Sequence, residues 1–236
     1  MSDPAVESSP ARTVFPLELQ LWLSPSFPVG SFAYSHGLEW AAGQGRVRDR
    51  ASAEAWIGDL LRHGSARNDA ILLVAAWRAA RDGDWVQLVD VNDLALAMSG
   101  SRERYLETSM QGSAFVATVA AAWPGRLPQE IVRALSGAVA YPIAVGAVAG
   151  GADMPLGATA QAYLAAFASN LVSALVRLAA IGQTDGQRVI AGLAATIASV
   201  AANATEATLD DLGGAAFVSD IAALGHETQE TRMFRS

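Results

Sequence analysis

The sequence predicts an all-α protein: a single domain of roughly ten packed helices around an alanine-rich core. Three observations predict it. Apolar residues recur at steps of three and four along most of the chain, and nothing alternates with period two for long enough to make a convincing strand. The 236 residues are 52% hydrophobic, enough to bury a sizeable core in one large domain. Much of that apolar content is alanine, which favours helix and packs closely, and six tryptophans supply large knobs for small-residue surfaces. No internal repeat and no interdomain linker interrupts the pattern.

Taken in order, Met1 to Thr13 is polar, contains Pro4 and Pro10, and reads as a disordered lead rather than a signal peptide. The helical domain is expected over 14–225. Phe15, Leu19 and Leu23 step by four, with Trp22 beside them, and predict a first helix. In Ser24 to Glu39, Pro25 and Pro28 hold the chain extended and Gly30 permits a tight turn. Ser31 stands as the N-cap of a short helix that carries His36 and Gly37 near its middle or end. Gly43 and Gly45 break it. Ser52 reads as the next N-cap, with Trp56, Leu60 and His63 on one side. Asn68 or Asp69 starts a helix with Leu72, Leu73, Ala76 and Trp77 inward, closed by Gly83. Asp84 opens another, with Trp85, Leu88 and Val89, towards Met98. Ser101 caps a long helix, Arg102 to Trp123, stopped by Pro124. A short helix opens at Pro128 and fails near Gly137. Pro142 suits the first turn of a helix ending at Gly150-Gly151. The longest apolar helix is expected over about Gly157 to Ile181, and the next from Thr184 or Asp185 to about Ala202. Phe217, Ile221 and Leu224 share one face of the last helix, which Gly225 ends.

Composition excludes several chemistries. Net charge is −7, which argues against a generic nucleic-acid binder. With no cysteine there is no disulfide, zinc–thiolate site or thiol nucleophile. Every basic residue is arginine, so Schiff-base catalysis and the phosphate-binding lysine of a P-loop are excluded too. Ala134 to Ala152 and Met154 to Val176 lack charge and are long enough to span a membrane, but glycines and Pro142 break the first and alanine dominates the second. Buried helices of a cytoplasmic protein are the expectation, with a membrane-embedded permease as the competitor.

No residue set announces a reaction. Gly150-Gly151 and Gly213-Gly214 lack phosphate-loop spacing, and there is no Gly-x-Ser-x-Gly elbow. His226-Glu227-Thr228-Gln229-Glu230 starts like a metalloprotease helix but lacks the second histidine. No catalytic, cofactor-binding or self-contained metal residues are therefore assigned. The alternative kept open is a metal-dependent hydrolase using His226, Glu227 and Glu230. His63 reads as structural, and His36, between Ser35 and Gly37, equally as a structural residue or as one that meets a partner or ligand. Arg102, Glu103, Arg104 and Glu107 read as a solvated ladder on a helix face. Asp210-Asp211 before Gly213-Gly214 reads as a turn. The tail, 226–236, ends Arg232-Met233-Phe234-Arg235-Ser236, a mix of arginine and aromatic groups typical of interface hot spots. It reads as a partner-binding tail that orders on docking, with a frayed end or a tail packed on its own domain as the alternative.

The stretch Pro28 to Glu39, Pro-Val-Gly-Ser-Phe-Ala-Tyr-Ser-His-Gly-Leu-Glu, resembles the N-terminal signature of the UreF family of urease accessory proteins. The resemblance continues through Gly45-Arg46-Val47-Arg48-Asp49, Ser101-Arg102-Glu103 with Gln111-Gly112, and Tyr141-Pro142. It goes on in Tyr163-Leu164, Asn170-Leu171-Val172 and Ile181-Gly182-Gln183-Thr184, and ends in His226-Glu227 and Arg232 to Ser236. It covers about Leu17 to Ser236. Met233 stands where the family has leucine, and Tyr105-Leu106 interrupts a run that is usually more polar.

The resemblance implies an all-helical, dimeric, non-enzymatic assembly factor. Such a protein binds a UreD (also called UreH) accessory protein and the GTPase UreG, and the complex delivers nickel to apo-urease in a step coupled to GTP hydrolysis. The residues expected to meet partners are Ser31, Tyr34, His36, Glu39, His226, Glu227, Arg232, Phe234, Arg235 and Ser236.

Overall fold

The computed structural model of the chain describes residues 16–236; the expected disordered lead lies outside the described residues. The all-α expectation holds. Among the described residues there are eleven α-helices, three short 3-10 turns and no strand. The helices are α1 Leu17–Trp22, α2 Leu38–Gly43, α3 Arg50–His63, α4 Ser65–Asp82, α5 Trp85–Ala97 and α6 Arg102–Ala122. They continue as α7 Gln129–Ala134, α8 Tyr141–Gly151, α9 Leu156–Arg177, α10 Gln183–Glu206 and α11 Phe217–Glu227.

α8 is the axis of the core. Every residue from Pro142 to Gly150 is buried, which explains why its sequence is apolar on all sides. It lies against α4 at unusually short range. A Cβ on Gly146 would stand 2.3 Å from the Leu73 carbonyl oxygen, and one on Gly150 the same distance from that of Trp77. Two glycines one turn apart therefore meet two residues one turn apart, backbone to backbone. α6 approaches α8 in the same way, since a Cβ on Gly112 would overlap the Val139 carbonyl. Asn92 of α5 fixes the segment entering α8, donating to Ala138 O at 2.9 Å and accepting from Ala140 N–H at 3.0 Å.

Helix boundaries obey local chemistry, with corrections. The N-cap of α3 is Asp49, not Ser52. Asp49 accepts from Ser52 N–H at 2.8 Å while the Ser52 hydroxyl accepts from Asp49 N–H, a capping box in which Ser52 is the third helical residue. Gly64 alone separates α3 from α4, so α4 starts at Ser65, ahead of Asn68. The inward side of α3 is Ala53, Ile57, Leu60 and Leu61, and His63 is exposed. Asp84 and Ser101 cap α5 and α6 as expected.

α9 and α10 are long and apolar enough to cross a membrane by length and hydropathy. Half of the apolar stretch of α9 and a third of that of α10 is buried within the fold. They pack on each other and on α3 and α4.

The last helix carries its large apolar residues on one face, as expected, and that face points to solvent. Phe217, Ile221 and Leu224, with Val218, are its exposed side, and Ser219, Ala222, Ala223 and His226 are buried. Gly225 does not end it. A Cβ there would stand 2.6 Å from the Trp40 ring, so this glycine lets α11 close on α2 and the helix continues to Glu227. Space, not chain reversal, is what the glycine supplies.

Candidate partner-docking site

Ser31 to Glu39 is not one helix. Ser31–Ala33 is a 3-10 turn, Tyr34 is extended, and His36 and Gly37 have φ of 60° and 77° before α2 begins. Two successive left-handed residues turn the chain sharply, which is costly at His36 and free at Gly37. Gly37 also faces α11: a Cβ there would lie 2.8 Å from Ala223 N. The turn thus buries Ser35, His36 and Glu39 against α6 and α11.

Glu39 holds the tail. Its two carboxylate oxygens accept from Met233 N–H at 2.7 Å and Phe234 N–H at 2.9 Å. His226 Nε2 lies 3.3 Å from the same carboxylate, and His226 Nδ1 lies 2.7 Å from Glu103 Oε2. Glu103 also pairs with Arg232, and its main-chain N–H donates to Glu227 at 3.0 Å, so Glu227 caps the start of α6. Further on, Arg235 N–H donates to Ala33 O at 2.8 Å and Ser35 N–H donates to Ser236 O at 2.7 Å. Phe234 is buried, and the Arg177 guanidinium lies 4.5 Å over its ring.

Beneath this lies a second charged group. The Arg104 guanidinium donates to Glu107 and to His36 Nδ1. His36 Nδ1 is therefore an acceptor, and Nε2–H donates to Ser65 Oγ at 2.7 Å. Burial first, then the Arg104 charge, depress His36 to about 4, so the ring is neutral at physiological pH. Burial opposes ionisation of Glu107, but Arg104, His36 and the Ser236 hydroxyl outweigh it and hold its carboxyl at about 2. Asp69 accepts from Tyr163 OH at 2.9 Å, and burial lifts it to about 6.

The structure brings nine of the ten expected residues to one place. Ser31 stands apart, at the rim of a neighbouring cavity with no side-chain cap bond. Their orientation differs from a free binding tail: the tail is already folded onto its own domain, with Phe234 and Ser236 inside. Glu39 satisfies its main-chain donors without any partner, so ordering does not wait for docking. Arg232, Met233 and Arg235 point outward. Arg104 and Glu107 are a further correction, since Glu107 is buried and Arg104 largely so, not a solvated ladder. A polar stripe at i and i+3 reads as surface unless the tail that covers it is known. Asp69 reads as a helix start, and Tyr163 and Ser35 as parts of the family pattern, but their place in this buried polar group is not legible in the sequence. Both ring nitrogens of His36 are engaged within the chain. His226, Glu227 and Glu230 do not converge: the first two are spent on Glu39, Glu103 and the α6 cap, while Glu230 is exposed.

The UreF family model matches residues 47–194. The chain is 51% identical over 219 residues to the urease accessory protein UreF of Rhodopseudomonas palustris (strain BisA53), covering 92% of each. The chain belongs to the UreF family. It is 49% identical to the UreF of Methylobacterium radiotolerans over 96% of this chain and 99% of that one. The UreF of Xanthobacter autotrophicus is 51% identical over 93% and 90%. The two relatives matched over 92% and 96% of this chain must align well beyond the 47–194 core, so the likeness is not confined to the helices that build α8's surroundings. Each relative is named an accessory protein of urease, and none as an enzyme.

Proposed function

We propose that this UreF-family chain is a non-enzymatic, cytoplasmic assembly factor that joins a UreD (UreH)-like protein to the GTPase UreG for nickel insertion into apo-urease. Nickel is cargo of the complex in this reading, and the chain acts as a homodimer. The observation that carries the reading is the clamped tail. Glu39 of the signature and Glu103 of α6 hold one bent segment so that Arg232, Met233 and Arg235 project from a fixed frame. Beside it, Leu106 and Glu227 line the same groove, and Leu224 is exposed one turn before Glu227. Outward arginines next to an exposed apolar stripe are the composition of a docking surface.

The test is affinity purification of the full chain from urease-producing cells, beside a copy ending at Glu230, with the co-purifying proteins identified by mass spectrometry. The full chain is expected to retain a UreD-like protein, the GTPase and urease, and the shortened one to lose the UreD-like protein. Equal recovery by both would move docking away from the tail. Recovery of no urease component by either would overturn the function.

A further inference from the structure

α3, α4 and α10 line a groove of about 410 Å³ that shares no lining residue with the tail. Two arginines enter it from the α3–α4 junction: Arg62 in the last turn of α3 and Arg67 in the first turn of α4. The facing wall is the one polar stripe of the alanine-rich α10, Thr196, Ser199 and Asn203, at i, i+3 and i+7. The floor is apolar, with Ile71 at its centre.

The charges do not balance. No aspartate or glutamate lines the groove among the described residues. Neither Arg62 nor Arg67 has a carboxylate oxygen within 4.0 Å there, in a chain of net charge −7. Each gives one N–H to a neutral acceptor: Arg62 to Thr196 Oγ1 at 2.9 Å, Arg67 to the Asp211 main-chain oxygen at 2.7 Å. The Asp211 carboxylate turns instead to Thr208, accepting from its N–H at 2.8 Å and its hydroxyl at 3.2 Å. The remaining donors of each planar fork are unused. Two forks, two hydroxyls and an amide around a space of this size match the acceptors of a tetrahedral or planar oxyanion.

We propose that this groove binds an oxyanion group, a phosphate or a carboxylate, gripped by Arg62 and Arg67 and oriented by the α10 stripe. It is independent of the tail surface, so loss of either leaves the other intact. The test is an NMR titration of the arginine Nε–Hε signals of the full chain at constant ionic strength. One arm adds inorganic phosphate, the other a blocked peptide of alternating glutamate and alanine. Saturable shifts of Arg62 and Arg67 are expected. Arg62→Gln and Arg67→Gln should each weaken binding by about fivefold or more. Arg188→Gln, which removes an exposed arginine paired with Asp185, should change nothing. Saturation by phosphate alone identifies a free anion, and saturation by the peptide alone identifies a carboxylate carried by a protein. Linear shifts in both arms, or curves unchanged in both variants, would overturn the site.

Discussion

Tyr163 donates to a carboxyl, Asp69, that burial lifts to about 6 from an unfolded value of 3.8. Between those values the folded chain keeps a proton that the unfolded chain releases. The contribution of Asp69 is therefore whole below pH 3.8 and lost as pH rises through 6. His36 has the reverse slope. Its folded value of about 4 lies below 6.5, so its contribution is whole above 6.5 and lost as pH falls through 4. The two slopes oppose each other over a shared window and flatten the profile. Asp69→Asn removes one of them. Relative to the parent, it should gain about 2 kcal/mol between pH 4 and pH 6.5, a discounted figure because Asp69 is only partly buried. Urea midpoints at the two pH values check it, and parallel profiles would refute it. Glu39 offers a second test. Glutamine there turns an amide NH2 towards one of two main-chain donors, so Glu39→Gln should lose about 2 kcal/mol and free the tail to protease. A tail as resistant as the parent's would show that Phe234 and the contacts to Ala33, Ser35, Glu103 and Glu107 hold it without the clamp.

Between helices, the sharpest constraint is the contact of α4 with α8. Gly146→Ala places a methyl 2.3 Å from the Leu73 carbonyl and should destabilise by about 2 kcal/mol as the helices part. Gly157→Ala, in the open first turn of α9 with nothing within 4 Å, should instead stabilise by about 0.5 kcal/mol through helix propensity. Thermal unfolding of the pair separates packing from propensity, and equal shifts would contradict the close approach. Most helices were legible in the sequence because proline, glycine and capping residues punctuate them locally: Asp84, Ser101 and Pro142 stand at the helix starts expected of them. What failed depends on contacts distant in sequence. Gly225 looks like a terminator until Trp40 is seen against it. The shared face of Phe217, Ile221 and Leu224 was legible, but its outward direction was not, since periodicity carries no sign. Arg104 and Glu107 look solvated until residues over a hundred positions later cover them. The signature was visible as a cluster of chemistry, but its pair of left-handed residues was not.

At the scale of the whole chain, the tail and the arginine groove lie on different helices, α11 with α2 and α6 for one, α3, α4 and α10 for the other. A scaffold that holds two partners needs separate faces of this kind. The proposed homodimer should sediment at low micromolar concentration with twice the chain mass, and Arg232→Ala should leave that mass unchanged while weakening capture of the UreD-like protein. A monomer in every condition would refute the dimer. The Glu39 clamp grips main-chain amides, which every residue but proline possesses, so it does not discriminate between sequences. Sequence preference comes from side chains, the buried Phe234 ring and the Arg232–Glu103 pair, and tethering adds to it: a short linker keeps that segment at an effective concentration on the order of millimolar. A stray peptide must exceed that concentration to displace it, whereas a version of the chain cut after α11 would leave the groove open to peptides that offer an aromatic side chain beside an arginine.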